Sequence, residues 1–364
     1  MCLEYVKEFG ARSLAVVQFR GAIRILSPAD SDRLFAIITD GGSRIRPRLA
    51  FFATSAWIRA GRSPPRGGMI YLNVGHTGLH AAGLRDWIDA NAVKAVYLIH
   101  DLIPITHPHF CRPGEKAKHA RRIENALRSA TGIIGNSQAT LDVLESFAAS
   151  RGLDMPPAIA AWISGYRLPG GVLPTRLERP HFVTVGTIEG RKNHLMLLEI
   201  WSRLAMDMGT SAPLLLIIGQ RGWEADAAIA MLKRPELAGH VRELGRCGDR
   251  ELAAAIAGAR ALLMPSFAEG FGLPVIEALE LRTPVIASDL PVYREIVGDI
   301  PTYLPPDDDG AWEQTIRGFI DDAPERTRQM HAMERFRPPD WGGHFERVEK
   351  WLGGLGSRGA RTAN

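Results

Sequence analysis

Short apolar runs of four or five residues alternate along this chain with longer stretches in which apolar positions recur every three or four residues. The short runs fit buried strands and the longer ones fit helices packed across them, so the pattern predicts parallel sheets joined by helical crossovers. In the first half, strands are expected at 14–18, 69–73, 95–99 and 132–135, with a fifth near 158–163. Residues 167–179, RLPGGVLPTRLER, are rich in Pro and Gly and read as a linker. A second series follows at 182–185, 214–218, 241–244, 261–264 and 284–287, each strand with a helix candidate behind it. Near the end Trp341, Phe345, Val348 and Leu352 lie 4, 3 and 4 residues apart, which makes one helical stripe.

A length of 364 residues suits two cores better than one. The expected division is a first domain at 1–175, a second at 176–337, a helix at 338–352 and a frayed tail at 353–364. A doubly wound domain normally opens with a strand and a glycine turn. Here CLEYVKEF, from Cys2, already reads as a helix with Leu3, Val6 and Phe9 on one face. Either the first strand is lost ahead of Met1 or the domain starts on a different element.

Composition narrows the class. A chain that is 46% hydrophobic and 23% charged is globular rather than disordered. Its three cysteines, Cys2, Cys111 and Cys247, are widely spaced and give neither a disulfide framework nor a CxxC metal site. No apolar run approaches the length of a membrane span, and no secretory leader pattern opens the chain, so a cytoplasmic location is expected. Charge is uneven: residues 1–175 hold 21 Lys and Arg against 13 Asp and Glu, the remainder 23 against 27. A basic first half suits an anionic partner such as a phospholipid surface or a polyprenyl-phosphate acceptor. An arginine-rich proteome would give the same bias. Nucleic acid is not expected, because the basic residues are not interleaved with stacking aromatics.

The richest chemistry lies in MPSFAEGFGLPVIEAL, from Met264. A buried strand runs into a loop with Glu269, Gly270, Phe271 and Gly272; Leu273 and Pro274 then open a helix that carries Glu277. Glycines before a helix N-terminus let backbone N–H groups approach a phosphate, and the helix dipole favours that anion. Two carboxylates so placed can accept hydrogen bonds from two different sugars. A helix start with a solvated Glu pair is the plain alternative. In FVTVGTIEGRKNH, a strand ends at Gly186 and the loop supplies Arg191 and Lys192, cations able to neutralise a diphosphate leaving group. In AVYLIHDLIPITHP, a strand delivers His100 and Asp101 at its carboxyl end, the ligand edge of open α/β sheets. Asp101 either orients an acceptor hydroxyl or the histidine ring, or caps the following turn. Asn73, His76 and Thr77 follow another strand in a polar loop, and Arg246 and Cys247 follow a third.

Together these segments resemble the retaining GT-B glycosyltransferases of family 4, the group 1 transferases, from about His100 to Leu352. The Glu269–Glu277 frame is similar to the family's E-x7-E motif, and the His-Asp-Leu-Ile-Pro segment to bacterial mannosyltransferases of surface or exopolysaccharide assembly. The resemblance implies two doubly wound domains facing across a cleft, with the final helix crossing back to the first. It implies that Glu269 contacts the transferred hexose and Glu277 the ribose, and that backbone at Phe271, Gly272 and Leu273 meets hexose and diphosphate. Gly186, Arg191 and Lys192 would bind the diphosphate, and Arg246 and Cys247 would lie against the base. His100 would sit beside the transferred sugar, with Asn73, His76 and Thr77 on the acceptor side. Many members carry an arginine directly after the glycine, where this chain has Thr187.

The implied activity is hexosyl transfer, with GDP-mannose as the preferred donor, to a saccharide or polyprenyl-linked acceptor, with no cofactor and no metal. A peripheral place at the inner face of the plasma membrane would follow from the basic first domain. Two alternatives stay open: a nucleotide-sugar epimerase of the same architecture, and an inactive relative that only binds nucleotide or a partner. Two further features are weighed against function. The run DDDG from Asp307 reads as a helix cap rather than a metal site. The helix from Lys116 to Ala130 reads as core-packed with a basic outer side rather than as a membrane anchor.

Overall fold

In the computed structural model, residues 1–19, 21–40, 45–61, 68–76, 78–81, 83–165, 167–321 and 323–358 are described. The chain divides into two units, one of Met1–His100, Ala117–Ile163 and the stretch from Trp341, the other of Asp101–Lys116 and Ser164–Asp340. The division differs from the expected cut at 175. Residues 101–116 join the second unit because the Phe110 ring stacks on Phe267, with centroids 5.3 Å apart. The stretch before 175 joins it because Gly165 lies against Leu273 and Glu277, and Thr175 N–H donates to Ala254 O.

In the first unit, β1 (Val16–Phe19) and β2 (Ala22–Ile25) form a separate antiparallel hairpin. β3 (Ile70–Asn73), β4 (Lys94–Ile99), β5 (Gly132–Gly135) and β6 (Ala158–Ala160) form a parallel sheet in that order. β2 escapes the sequence pattern because AIRI is a short run with an arginine inside it. β4 reads as a continuous apolar run because both its faces are covered. Val96 and Leu98 pack with Ile134 against Tyr5, Phe9, Phe345 and Val348, so the first and last helices, Cys2–Phe9 and Trp341–Arg358, share one face of the sheet. On the alternate positions, Tyr97 bonds Ser129 at 2.8 Å, on the helix Glu115–Ser129. That helix buries His119, Ala120, Ile123, Ala126 and Leu127, so it is core-packed. Each fully buried aliphatic side chain of β4 contributes about 1.5–3 kcal/mol.

The second unit holds β7 (His181–Val185), β8 (Leu214–Ile218), β9 (Val241–Gly245), β10 (Leu262–Met264), β11 (Val285–Ser288) and β12 (Thr302–Leu304). Their order is β12-β11-β10-β7-β8-β9, all parallel. From β7 the sheet grows one way through β8 and β9, then returns to β10 and grows the other way. The reversal opens a crevice at the carboxyl ends of β7 and β10, where sheets of this kind bind ligands. Behind it, the helix His194–Met208 buries Leu197, Leu198, Ile200, Trp201 and Leu204 against Phe182, Leu215, Ile217 and Trp312. The DDDG run does form a cap: Asp308 Oδ1 accepts from Ala311 N at 2.9 Å and starts the helix Asp309–Ile320. No described helix is long and apolar enough to cross a membrane.

Candidate active site

At the end of β7, Gly186 takes φ +142 and its N–H donates to Ile218 O. Gly219, at the end of β8, faces it so closely that a Cβ there would run into the Gly186 carbonyl. The loop then makes one tight turn, Gly190–Lys192, and Asn193 enters the left-handed region (φ 56, ψ 35) before the helix begins. Asn193 Nδ2 donates to Pro306 O at 2.8 Å, which holds that conformation. The loop after β10 is tied to it by Phe267 N–H, which donates to Arg191 O at 2.9 Å. Gly272 closes this second loop at φ +91, and a Cβ there would also collide with the Tyr293 ring. Leu273–Glu280 follows as a helix whose first turn receives no side-chain cap.

Glu269 sits where the loops meet. Its Oε1 accepts from Lys192 Nζ at 2.6 Å and from Ser266 Oγ at 2.7 Å, and its Oε2 from Arg191 Nη1 at 3.1 Å. Arg191 also donates to Ala268 O (2.6 Å) and to Glu189 Oε1 (2.6 Å). Burial alone would raise the Glu269 pKa; the charges of Lys192 and Arg191 overcome it and hold the carboxyl below its ordinary value. Glu269 is therefore an ionised acceptor. A carboxylate offers about four lone-pair sites, so Oε2 keeps room for a hydroxyl donor. Glu277 is the opposite case. Burial, then Glu280 and Asp249, push it up to about 7, so near neutrality it is part acid and part base.

Gly186, Arg246 and Cys247 line one hollow of about 290 Å³ with Thr187, Gly219, Gln220 and Leu252. It opens at the carboxyl ends of β7, β8 and β9. Phe271 is buried. Four residues that carry the geometry escaped the sequence reading: Ser266, Glu189, Tyr293 and Phe110. Ser266 had a signal, since it stands three residues ahead of Glu269 in one loop. Glu189 stands two residues ahead of Arg191 in the same loop, while Tyr293 and Phe110 meet the site only through the fold.

In the first unit, His100 Nε2 lies 2.8 Å from Val74 O, so this nitrogen carries the ring proton. Its backbone N–H donates to His76 Nε2 at 3.3 Å, and the two rings stand 4.9 Å apart. His119 joins them, 6.0 Å from His76. Burial, then His100 and His119, drop the His76 pKa to about 3, so His76 stays neutral. Asn73 Nδ2 donates to Tyr71 Oη at 3.1 Å, and its Oδ1 accepts from Gly75 N–H. Thr77 lies outside the described residues. Asp101 Oδ1 accepts from Ile103 N at 3.0 Å, the turn cap that was one of its two sequence readings. Among the described residues, no group of three His, Cys, Asp or Glu side chains converges as a metal site.

Comparison with known proteins adds four relationships. Residues 172–335 match the family model described as glycosyl transferases group 1. The chain is 31% identical over 260 residues to O-antigen chain mannosyltransferase B of Escherichia coli, covering 68% of this chain and 67% of that protein. It is 27% identical over 236 residues to the serotype-specific mannosyltransferase WbdA of Escherichia coli, 60% of this chain but 29% of that longer protein. Among solved structures, sucrose-phosphate synthase of Thermosynechococcus elongatus superposes with a TM-score of 0.61 at 17% identity, over 86% of this chain and 78% of that one. At that identity the likeness speaks for the fold alone. It is the α/β fold of two Rossmann-like units, the GT-B type.

Proposed function

Since this chain belongs to the group 1 glycosyl transferases, we propose that it moves a mannosyl residue from GDP-mannose to a saccharide acceptor in the assembly of a surface polysaccharide, with retention at the anomeric carbon. The names of its E. coli relatives support mannose as the sugar. The observation that carries the reading is the ionised Glu269, held by Lys192, Arg191 and Ser266 at the point where strand order reverses.

In this reading Glu269 accepts a hydroxyl of the donor hexose, and Glu277 accepts the ribose hydroxyls. The base occupies the hollow by Arg246 and Cys247, and the diphosphate lies over Gly186 and the Gly272–Leu273 backbone. As the bond from the anomeric carbon to the β-phosphate oxygen breaks, negative charge grows on the diphosphate. Arg191, Lys192 and the helix N-terminus at Leu273 stabilise it, so no metal or cofactor is required. The acceptor oxygen bonds to the anomeric carbon on the face the leaving group vacates, and its proton passes to the β-phosphate oxygen. We assign His100 to the transferred sugar and Asn73 and His76 to the acceptor side. A lipid-linked acceptor would bring the protein to the inner face of the plasma membrane.

The test is transfer from GDP-mannose, measured by mass spectrometry of products. Lys192→Ala and Glu269→Ala should each lower turnover about 10²-fold or more. Turnover at the parental rate in both variants would overturn the site.

A further inference from the structure

The stretch 101–116 follows β4 in the chain but packs within the second unit. Its local structure is stiff. Asp101 caps the short helix Ile103–Thr106, and Pro108 opens a tight turn, Pro108–Phe110. In that turn Phe110 N–H donates to His107 O and Cys111 N–H to Pro108 O, both at 3.1 Å. The turn presents the Phe110 ring to two loops of the candidate site. It stacks on Phe267, in the loop after β10, with the ring planes 22° apart. It also covers Gly190, in the loop after β7, where a Cβ would come within 3.2 Å of Phe110 Cδ1. Two residues on, the Arg112 guanidinium stands 5.5 Å over the Trp223 ring, in the loop after β8, and anchors the same stretch a second time.

Gly190 begins the turn that carries Arg191 and Lys192. Bonds inside the turn, from Lys192 N–H to Glu189 O and from Asn193 N–H to Gly190 O, set its shape. Its place has to come from outside. Asn193 is tied to Pro306 O at the far end, and Arg191 O accepts from Phe267 N–H in the middle. At the near end Gly190 lies between the Glu224 carboxylate and the Phe110 ring. Glu224 is exposed and can yield, whereas the Phe110 ring is backed by Phe267. One ring therefore braces Gly190 and also the residue whose amide holds Arg191. Stabilisation by charge depends on where the cations stand, and a misplacement of about 1 Å can cost about 10²-fold. We infer that Phe110 is a positioning residue for the donor diphosphate: it fixes the turn Gly190–Lys192 so that Arg191 and Lys192 meet that group. It acts through Gly190 and Phe267 rather than by touching the donor. The inference rests on the reading above in taking these two cations as the partners of the diphosphate.

The test follows variants of the full chain by amide hydrogen exchange at 189–193, by calorimetry with GDP and UDP, and by transfer from GDP-mannose. Phe110→Ala should quicken exchange in that loop, weaken nucleotide binding about tenfold and raise the donor KM by a similar factor, with the acceptor KM unchanged. Phe110→Tyr keeps the ring and should behave as the parent. Phe110→Leu keeps apolar bulk, and with it the fold, but has no ring to stack; its loss should lie between the two. Gly190→Ala pushes a methyl at the same ring and should show a similar loss. The double variant Phe110→Ala/Gly190→Ala should then be no worse than the weaker single variant. Parental nucleotide affinity in both Phe110→Ala and Phe110→Leu overturns the inference. So does a raised acceptor KM with the donor KM unchanged, or a tyrosine variant as weak as the alanine one. A parent that binds nucleotide with this pattern of variants yet transfers no mannose leaves Phe110 in its role and overturns the activity instead. A parent that binds neither nucleotide overturns both.

Discussion

Lys192 Nζ lies 2.6 Å from Glu269 Oε1, one ion pair that joins the loop after β7 to the loop after β10. The two side chains are only 11% and 7% exposed. Removing one partner of such a pair leaves a buried charge uncompensated, which costs about 3–5 kcal/mol, although Arg191 would soften the loss here. Removing both leaves much less to compensate. Lys192→Met and Glu269→Gln should therefore be strongly non-additive in urea unfolding, with a coupling of about 1.5–3 kcal/mol. Additive effects would mean that the pair does not hold the two loops together.

The ring of Tyr293 fills the space that a side chain at 272 would need. Gly272→Ala meets both this ring and the strain of a positive φ, so it should weaken nucleotide binding in calorimetry about tenfold or more. Among the described residues the buried Tyr293 hydroxyl makes no hydrogen bond of ordinary geometry, so Tyr293→Phe should cost less than about 1 kcal/mol. Tyr293→Ala opens a cavity and should cost about 3–5 kcal/mol. A Phe variant as damaged as the Ala variant would show that the hydroxyl, not the ring, supports the turn.

What the sequence disclosed here follows from where each signal lives. Glu269, Gly272 and Glu277 share one short frame with a strand before it and a helix after it, so local pattern sufficed. β7, β8, β10 and β11 were legible because buried parallel strands are continuous apolar runs. β2 was not, since AIRI carries Arg24 outward. Tyr293 meets Glu269's loop through tertiary packing, which periodicity cannot report. The segment 101–116 follows β4 in sequence yet belongs to the second unit through Phe110 on Phe267, a contact between positions 157 residues apart. That Asp101 caps the following turn shows only in its distance to Ile103 N.

Glu277 gives the second unit a pH signature. Its folded pKa, about 7, lies above the ordinary carboxyl value of 4.5. Between these values the folded chain binds more protons than the unfolded one, so this group's contribution to stability falls as pH rises, by at most about 1.4 kcal/mol per unit. It is fully present below about pH 4.5 and gone above about pH 7. Glu277→Gln removes the effect. The stability difference between variant and parent should widen in the variant's favour from pH 5 to pH 7 in denaturant titrations. A constant difference would place Glu277 in water.

In the first unit, Tyr5 Oη lies 2.8 Å from His344 Nε2, linking the first helix to the last. His344 Nδ1 faces two carbonyl oxygens, Ala161 O and Trp162 O, at 3.2 and 3.1 Å. Carbonyls only accept, so Nδ1 carries the proton and Nε2 accepts from Tyr5. Tyr5→Phe leaves that buried nitrogen unpaired and should cost about 1–3 kcal/mol. Burial also holds the His344 pKa below its ordinary 6.5. The unfolded chain then takes up the proton first, so stability tied to the neutral ring is present above pH 6.5 and is lost as pH falls below it. His344→Gln should be less stable than the parent at pH 8, with the gap narrowing toward pH 5. A gap that stays constant would show that His344 does not titrate differently on folding, and that its lowered pKa plays no part in joining the two ends of the chain.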